Sequence, residues 1–182
     1  MDDLALARSL AAGEEEAFRT LVDQETTSVF RTCYRILGRV DEAEDATQET
    51  FVLAYRSLAS FRGDGRPGAW LSRIATRECW RRAAVRSRRA TATTALDEVV
   101  LETLPGSCSP LGDLLAAEER NAVRRAVENL GEPYREVVAL RFFGELSLLD
   151  IAAATGRPEG TVKAQLHRGL ARLRRALQSE RA

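Results

Sequence analysis

Lysine is nearly missing from this chain: Lys163 stands alone, and arginine supplies the rest of the 27 basic residues. Histidine is equally scarce, and His167 has no acid or cysteine at ligand spacing around it, which excludes a Ser-His-Asp arrangement and leaves no metal cluster. The three cysteines, Cys33, Cys79 and Cys108, are odd in number and far apart, so neither a disulfide framework nor a Cys-x-x-Cys zinc site is expected. They read as two small core residues and one loop thiol. No apolar run approaches the ~20 residues that span a bilayer, and the leading MDDLALARSL carries acids where a signal peptide carries bases. A cytoplasmic protein with no membrane span is expected. No Gly-rich phosphate loop precedes a strand pattern, and the acids of DEAEDATQE cluster without a histidine or lysine on an exposed helix face. Enzyme activity and a cofactor are therefore not expected.

What is present is a chain of 182 residues with 45% hydrophobic and 30% charged content, suited to one folded domain or two small helical ones. Its formal neutrality hides a segregation of charge. Residues 1–55 hold five arginines against twelve acids, and residues 56–89 hold ten arginines against two. Residues 90–117 carry four acids and no base, residues 118–156 are nearly balanced, and residues 157–182 carry seven bases against two acids. Two basic segments separated by an acidic one suit a polyanion touched in two places. The densest arginine run is RIATRECWRRAAVRSRR, Arg73 to Arg89.

Periodicity predicts helices throughout. From Glu14 to Leu37, Phe18, Leu21, Val22, Val29, Phe30, Cys33, Tyr34 and Leu37 form one inward stripe, ended by Gly38. A second helix is predicted to start at Asp41, with Glu44 completing an acidic analogue of the capping box. FRGDGRPG is a loop, and Pro67 suits the first turn of the next helix. There Trp70, Leu71, Ile74, Ala75 and Glu78 or Cys79 face inward, leaving Arg73, Arg77, Arg81 and Arg88 on a cationic outer face. Ala90 to Gly112 is rich in Thr, Ser, Pro and Gly and reads as a linker, with room for a short ordered piece around Leu96 to Leu101. A second helical unit follows, with helices from Pro133 to Arg141, from a Ser147 cap to Ala154, and from Pro158 to Leu177.

Ser147 to Leu177 reads as a helix-turn-helix. Leu148, Ile151 and Ala152 bury the first helix, Gly156 permits the turn, and Val162, Leu166 and Leu170 anchor the second. Thr161, Lys163, Ala164, Gln165, His167, Arg168 and Arg172 then point outward, a set suited to a helix in the major groove. A plain helical hairpin with a solvated basic face satisfies the same hydrophobic pattern.

Taken together, EEEAFRTLVDQETTSVFRTCYRILG, DEAEDATQETFVLAYRSLASFRG and WLSRIA resemble region 2 of a bacterial sigma factor of the extracytoplasmic-function (ECF) group of the sigma-70 family. YREVVALRFFGELSLLDIAAATGRPEGTVKAQLHRGLARLRRAL is similar to region 4 of the same family, in the same order and spacing. The resemblance implies an all-α protein of two small helical domains: region 2 over residues 1–89, a linker over 90–112, and region 4 over 113–182. It also implies the function, an alternative sigma factor that binds core RNA polymerase and directs promoter recognition, melting and initiation. A stand-alone helix-turn-helix regulator is the alternative.

By that resemblance Asp45, Gln48 and Glu49 form the face that holds the β′ clamp helices of the polymerase, an acidic surface for a basic partner. Around the −10 element the resemblance assigns Arg62, Gly63, Asp64 and Arg66 of the loop and Arg73, Arg77, Arg81 and Arg82 of the helix. There a pocket and cationic contacts offset the cost of unpairing a base. Trp70 reads as core by its stripe, with base stacking as the other possibility. At the −35 element it assigns Arg141, Thr161, Lys163, Gln165, His167 and Arg168, with the β flap as a further contact of region 4. Arg77 and Arg81 stand where family members often have Asn and Asp, which replaces base readout there with an altered readout or with phosphate binding. An anti-sigma partner is implied as well.

Overall fold

The computed structural model describes residues 3–61, 63, 65–92 and 110–179. Arg62, Asp64, Cys108, the linker span 93–109 and the expected piece around Leu96 to Leu101 lie outside the described residues. Within them the regular structure is eight α-helices and one 3-10 turn, Leu58–Ser60, with no strand. The helices are α1 (Asp3–Ala11), α2 (Glu15–Leu37), α3 (Val40–Arg56), α4 (Pro67–Ala92), α5 (Pro110–Glu128), α6 (Tyr134–Phe142), α7 (Leu148–Thr155) and α8 (Glu159–Ser179). The protein is all-α, as the periodicity predicts.

Of the stripe read from the sequence, α2 buries Leu21, Val29, Cys33 and Leu37 and half-buries Phe18, Val22, Phe30 and Tyr34, while Ala17 and Ile36, outside that reading, are also buried. It stops at Gly38, whose φ of 82° places it in the left-handed region while its N–H donates to the Tyr34 carbonyl. The start of α3 differs from expectation. The helix begins at Val40 with Arg39 as its cap residue and no side-chain cap, so Asp41 lies inside the first turn and no Glu44 box forms. Asp41 accepts from the Arg39 guanidinium at 3.0 and 3.2 Å. A first-turn acid is stabilised by the helix dipole without needing the cap position. At the other junctions, α4 continues to Ala92 and α5 already starts at Pro110, so both ends of the expected linker extend helices.

α1 to α4 enclose one core around Leu6, Leu10, Leu21, Val29, Leu71 and the two buried cysteines, Cys33 and Cys79. α6, α7 and α8 enclose a second around Val137, Leu140, Leu146, Ile151 and Val162. Each fully buried aliphatic side chain of this kind contributes roughly 1.5–3 kcal/mol. The two cores are not separate. Val127, Leu130, Val138 and Ala139 of the second unit belong to the first cluster, and Ala69 of α4 belongs to the second. Polar contacts seal the junction: Arg124 donates to the Arg35 carbonyl at 2.7 Å, and Arg35 pairs with Glu145 at 2.8 Å. The Trp80 and Phe143 rings lie 6.4 Å apart across it. One face of α4 is thereby pressed against α6 and α7.

Candidate nucleic-acid and polymerase interfaces

Ser147 caps α7 as the sequence predicts, and the cap is reciprocal. Its hydroxyl accepts from the Asp150 N–H at 3.1 Å while the Asp150 carboxylate accepts from the Ser147 N–H at 3.3 Å. Gly156, at φ 67°, ends α7 in the left-handed region and turns the chain into α8. Val162 is completely buried, Leu166 and Leu170 are half-buried, and Gly169 crosses α6 so closely that a Cβ there would sit 2.8 Å from Val138 Cγ2. With that side fixed, Thr161, Lys163, Ala164, His167, Arg168 and Arg172 are exposed on the opposite side. Arg172 also lies over the Tyr134 ring, 4.2 Å from its centroid. Gln165 is half-buried beside Arg157. Arg141 is exposed and braces the turn before α7 by donating to the Leu146 carbonyl at 2.9 Å.

α4 keeps Arg77, Arg81 and Arg88 exposed, as its periodicity predicts, but Arg73 is half-buried, and Arg73, Arg77 and Arg81 are engaged by acids of the same chain. Arg73 Nε donates to Glu136 Oε1 at 3.0 Å and its Nη1 to the Ala154 carbonyl at 2.7 Å, leaving the Arg73 side chain 24% exposed. Arg77 reaches the same Glu136 oxygen at 3.1 Å, and Arg157 holds the other oxygen at 2.6 Å. One turn further along, Arg81 grips Glu78 through both nitrogens at 2.7 and 2.8 Å, and Arg82 joins at 2.6 Å while donating to the Asp45 carbonyl. Arg86 pairs with Glu42 on α3 at 2.8 Å. A helical period fixes which residues avoid the α2 and α3 side. It does not say what packs against Arg73 and Arg77, and here that is Glu136 of α6 and the end of α7.

Burial pushes both Glu136 and Glu78 up in pKa, yet the neighbouring arginines outweigh it and hold both carboxyls below the ordinary value. Both acids are ionised at neutral pH. Glu136 and Arg157 were not singled out by sequence reasoning; the signal was an acid set directly before the apolar run VVAL. Within the loop, Gly63 and Gly65 adopt φ of 73° and 98°, so the turn depends on glycine. Arg66 pairs with Asp3 of α1 at 2.9 Å and approaches Asp150 of α7 at 3.9 Å. Trp70 is half-buried against Phe61, with ring centroids 5.0 Å apart.

On α3, Asp45 and Gln48 are exposed and Glu49 is half-buried. Val52 and Tyr55 continue the same stripe and remain 42% and 58% exposed, with Tyr55 edge-on to Phe18 at 5.2 Å. An acidic patch bordered by apolar side chains on a firmly packed helix fits a basic, amphipathic protein partner.

Comparison with known proteins agrees with both halves. Residues 21–90 match the model for sigma-70 region 2, and residues 120–173 match the model for sigma-70 region 4. The chain is 32% identical over 179 residues to the ECF RNA polymerase sigma factor SigW of Bacillus subtilis, covering 93% of this chain and 94% of that protein. It is 31% identical over 174 residues to the ECF RNA polymerase sigma-E factor of Escherichia coli, covering 92% and 90%. Among solved structures, CnrH in complex with the cytosolic domain of CnrY matches at a TM-score of 0.59 and 24% identity over 97% of both chains. The sigma factor RpoE in complex with the anti-sigma factor NepR from Bartonella quintana matches at 0.56 and 22% identity, over 88% of this chain and 96% of that one. The fold is thus shared with sigma factors, and with relatives of this identity along nearly its whole length the chain belongs to the ECF group of sigma-70 RNA polymerase sigma factors.

Proposed function

We propose that this sigma factor works in the cytoplasm with two DNA-facing domains, region 2 over residues 1–89 and region 4 over 113–182, joined by the 90–112 linker. Asp45, Gln48 and Glu49 on α3 hold the β′ clamp helices of core RNA polymerase. The loop from Arg62 to Gly68 and Arg73, Arg77, Arg81 and Arg82 of α4 take the −10 element. Arg141, Thr161, Lys163, Gln165, His167 and Arg168 take the −35 element, with region 4 touching the β flap. An anti-sigma protein, as in the RpoE and NepR complex, is the expected inhibitory partner.

The observation that carries this reading is the exposure pattern of α8: a glycine turn and a buried Val162 fix one side, and the opposite side presents Thr161, Lys163, His167 and Arg168 to solvent. A helix held this way can enter a major groove without unfolding anything. The test is run-off transcription on a genomic library with purified core enzyme. Wild-type chain should direct initiation from a defined promoter set, and the Asp45→Lys, Glu49→Lys double variant should lose complex formation with core while keeping its helical content. Duplex binding without any polymerase complex would point instead to a stand-alone regulator.

A further inference from the structure

The −10 and −35 surfaces of the molecule are not in the same state. α8 offers its outward residues to solvent, whereas Arg66, Arg73 and Arg77 of the −10 surface pair with acids of other helices of the same chain. Arg73 and Arg77 lie on Glu136 of α6, Arg66 lies between Asp3 and Asp150, and Gly65 is so close to α7 that a Cβ would meet Ala153 Cβ at 2.8 Å. Glu136 is 5% exposed and is held by three guanidiniums from two places in the fold, α4 and the α7–α8 turn.

We propose that Glu136 is an intramolecular clasp: in the free chain it occupies Arg73 and Arg77 in place of DNA phosphates, closing the −10 surface while leaving α8 able to meet duplex DNA. The inference rests on the reading of Arg73 and Arg77 as −10 contacts. Its physical basis is competition. A tethered carboxylate acts at high effective concentration, so an incoming strand must displace it to reach the covered Arg73 and must compete with it for the more exposed Arg77. A buried charge cluster is also well suited to a breakable junction. It returns little over an apolar contact when complete, yet losing one member strands the others as uncompensated charges. The apolar part of the junction, Val138 and Ala139 against the first core, adds to the closure and is non-directional. Arg157 makes the clasp specific, because it ties the carboxylate to the turn that begins α8. Binding of polymerase to the acidic α3 face and to region 4 separately draws the two domains apart, and releases both arginines together.

The test uses the full chain without polymerase and two labelled probes, a mixed-sequence single strand and a mixed-sequence duplex. Glu136→Gln keeps the side-chain shape and removes the charge. It is expected to tighten single-strand binding about tenfold, since apparent affinity scales with the open fraction. Duplex binding should change little, and the radius of gyration from small-angle scattering should rise. Arg157→Gln, which removes another leg of the clasp and leaves both −10 arginines in place, should shift single-strand binding in the same direction, and it carries the test if Glu136→Gln fails to fold. Unchanged single-strand affinity and radius in folded variants overturns the clasp. Failure of the underlying reading shows elsewhere: Arg73→Ala and Arg77→Ala in reconstituted holoenzyme would then leave promoter opening intact.

Discussion

Glu78 shows how an acid can be nearly stripped of water and remain ionised. Its side chain is 2% exposed, on the inward side of α4 as the stripe predicts, and Arg81 and Arg82 hold it from the next turn at 2.6–2.8 Å. Replacing it with alanine strands Arg82, itself only 28% exposed, while Arg81 is mostly solvated, so the loss should fall at the lower end of the range for a broken buried pair. About 3 kcal/mol is expected from urea denaturation monitored by circular dichroism. The pH dependence follows from the sign of its shift. Because the folded pKa lies below the ordinary 4.5, the contribution is complete above that value and is lost as pH falls through the lower folded value. The stability gap between wild type and Glu78→Gln should therefore be full at neutral pH and shrink in acid. Glu25 runs the other way: burial raises its pKa, so its contribution is lost as pH rises through the folded value. A gap that widened in acid would mean Glu78 is not the ionised partner of Arg81 and Arg82.

Among the elements, α7 is where sequence and structure agree most closely, and it gives a clean test. Ser147→Ala removes the reciprocal cap with Asp150 and should cost about 1 kcal/mol, lowering the melting temperature by about 2–4 °C. Duplex binding through α8 should survive at lower temperature. An unchanged melting curve would show that the tertiary contacts of Ile151 and Val162, rather than the cap, fix this helix. The cap, the α2 stripe and the glycine turns were legible because each is decided within one or two helical turns. The α3 start was not, because an acid lowers the energy of the first turn at several positions and Asp41 found its partner in Arg39. The outward α8 residues were legible because the hydrophobic anchors lie on the same helix. The state of Arg73 and Arg77 was not, since it depends on Glu136, which lies about sixty residues further along the chain on α6. For that pair the period of α4 carries no information about the partner.

At the scale of the whole molecule, zero net charge is less an average than a pairing. The basic segment 56–89 meets acids of its own chain: Arg66 with Asp3 and Asp150, Arg73 and Arg77 with Glu136, Arg81 and Arg82 with Glu78, and Arg86 with Glu42. Such a surface is polyanion-binding by composition and largely paired by fold, and for Arg73 and Arg77, whose acid lies on α6, availability is a matter of domain separation. Acid provides a way to separate the domains without a partner. Glu136 faces Arg73 and Arg77 from α4 and Arg157 from the α7–α8 turn, and together they hold its pKa down against burial. The closing contribution of Glu136 is accordingly complete above the ordinary glutamate value of 4.5 and disappears as pH falls through the lower folded value. Scattering and far-ultraviolet circular dichroism, followed together as pH is lowered, should show the radius of gyration rising before helical signal is lost. General charge repulsion also expands a chain that loses its carboxylates, and the comparison with Glu136→Gln separates the two causes. That variant should start expanded and lack the early step, keeping only the later, repulsive expansion. Coincident changes in radius and helicity in both proteins would instead mean that the domains part only when they unfold.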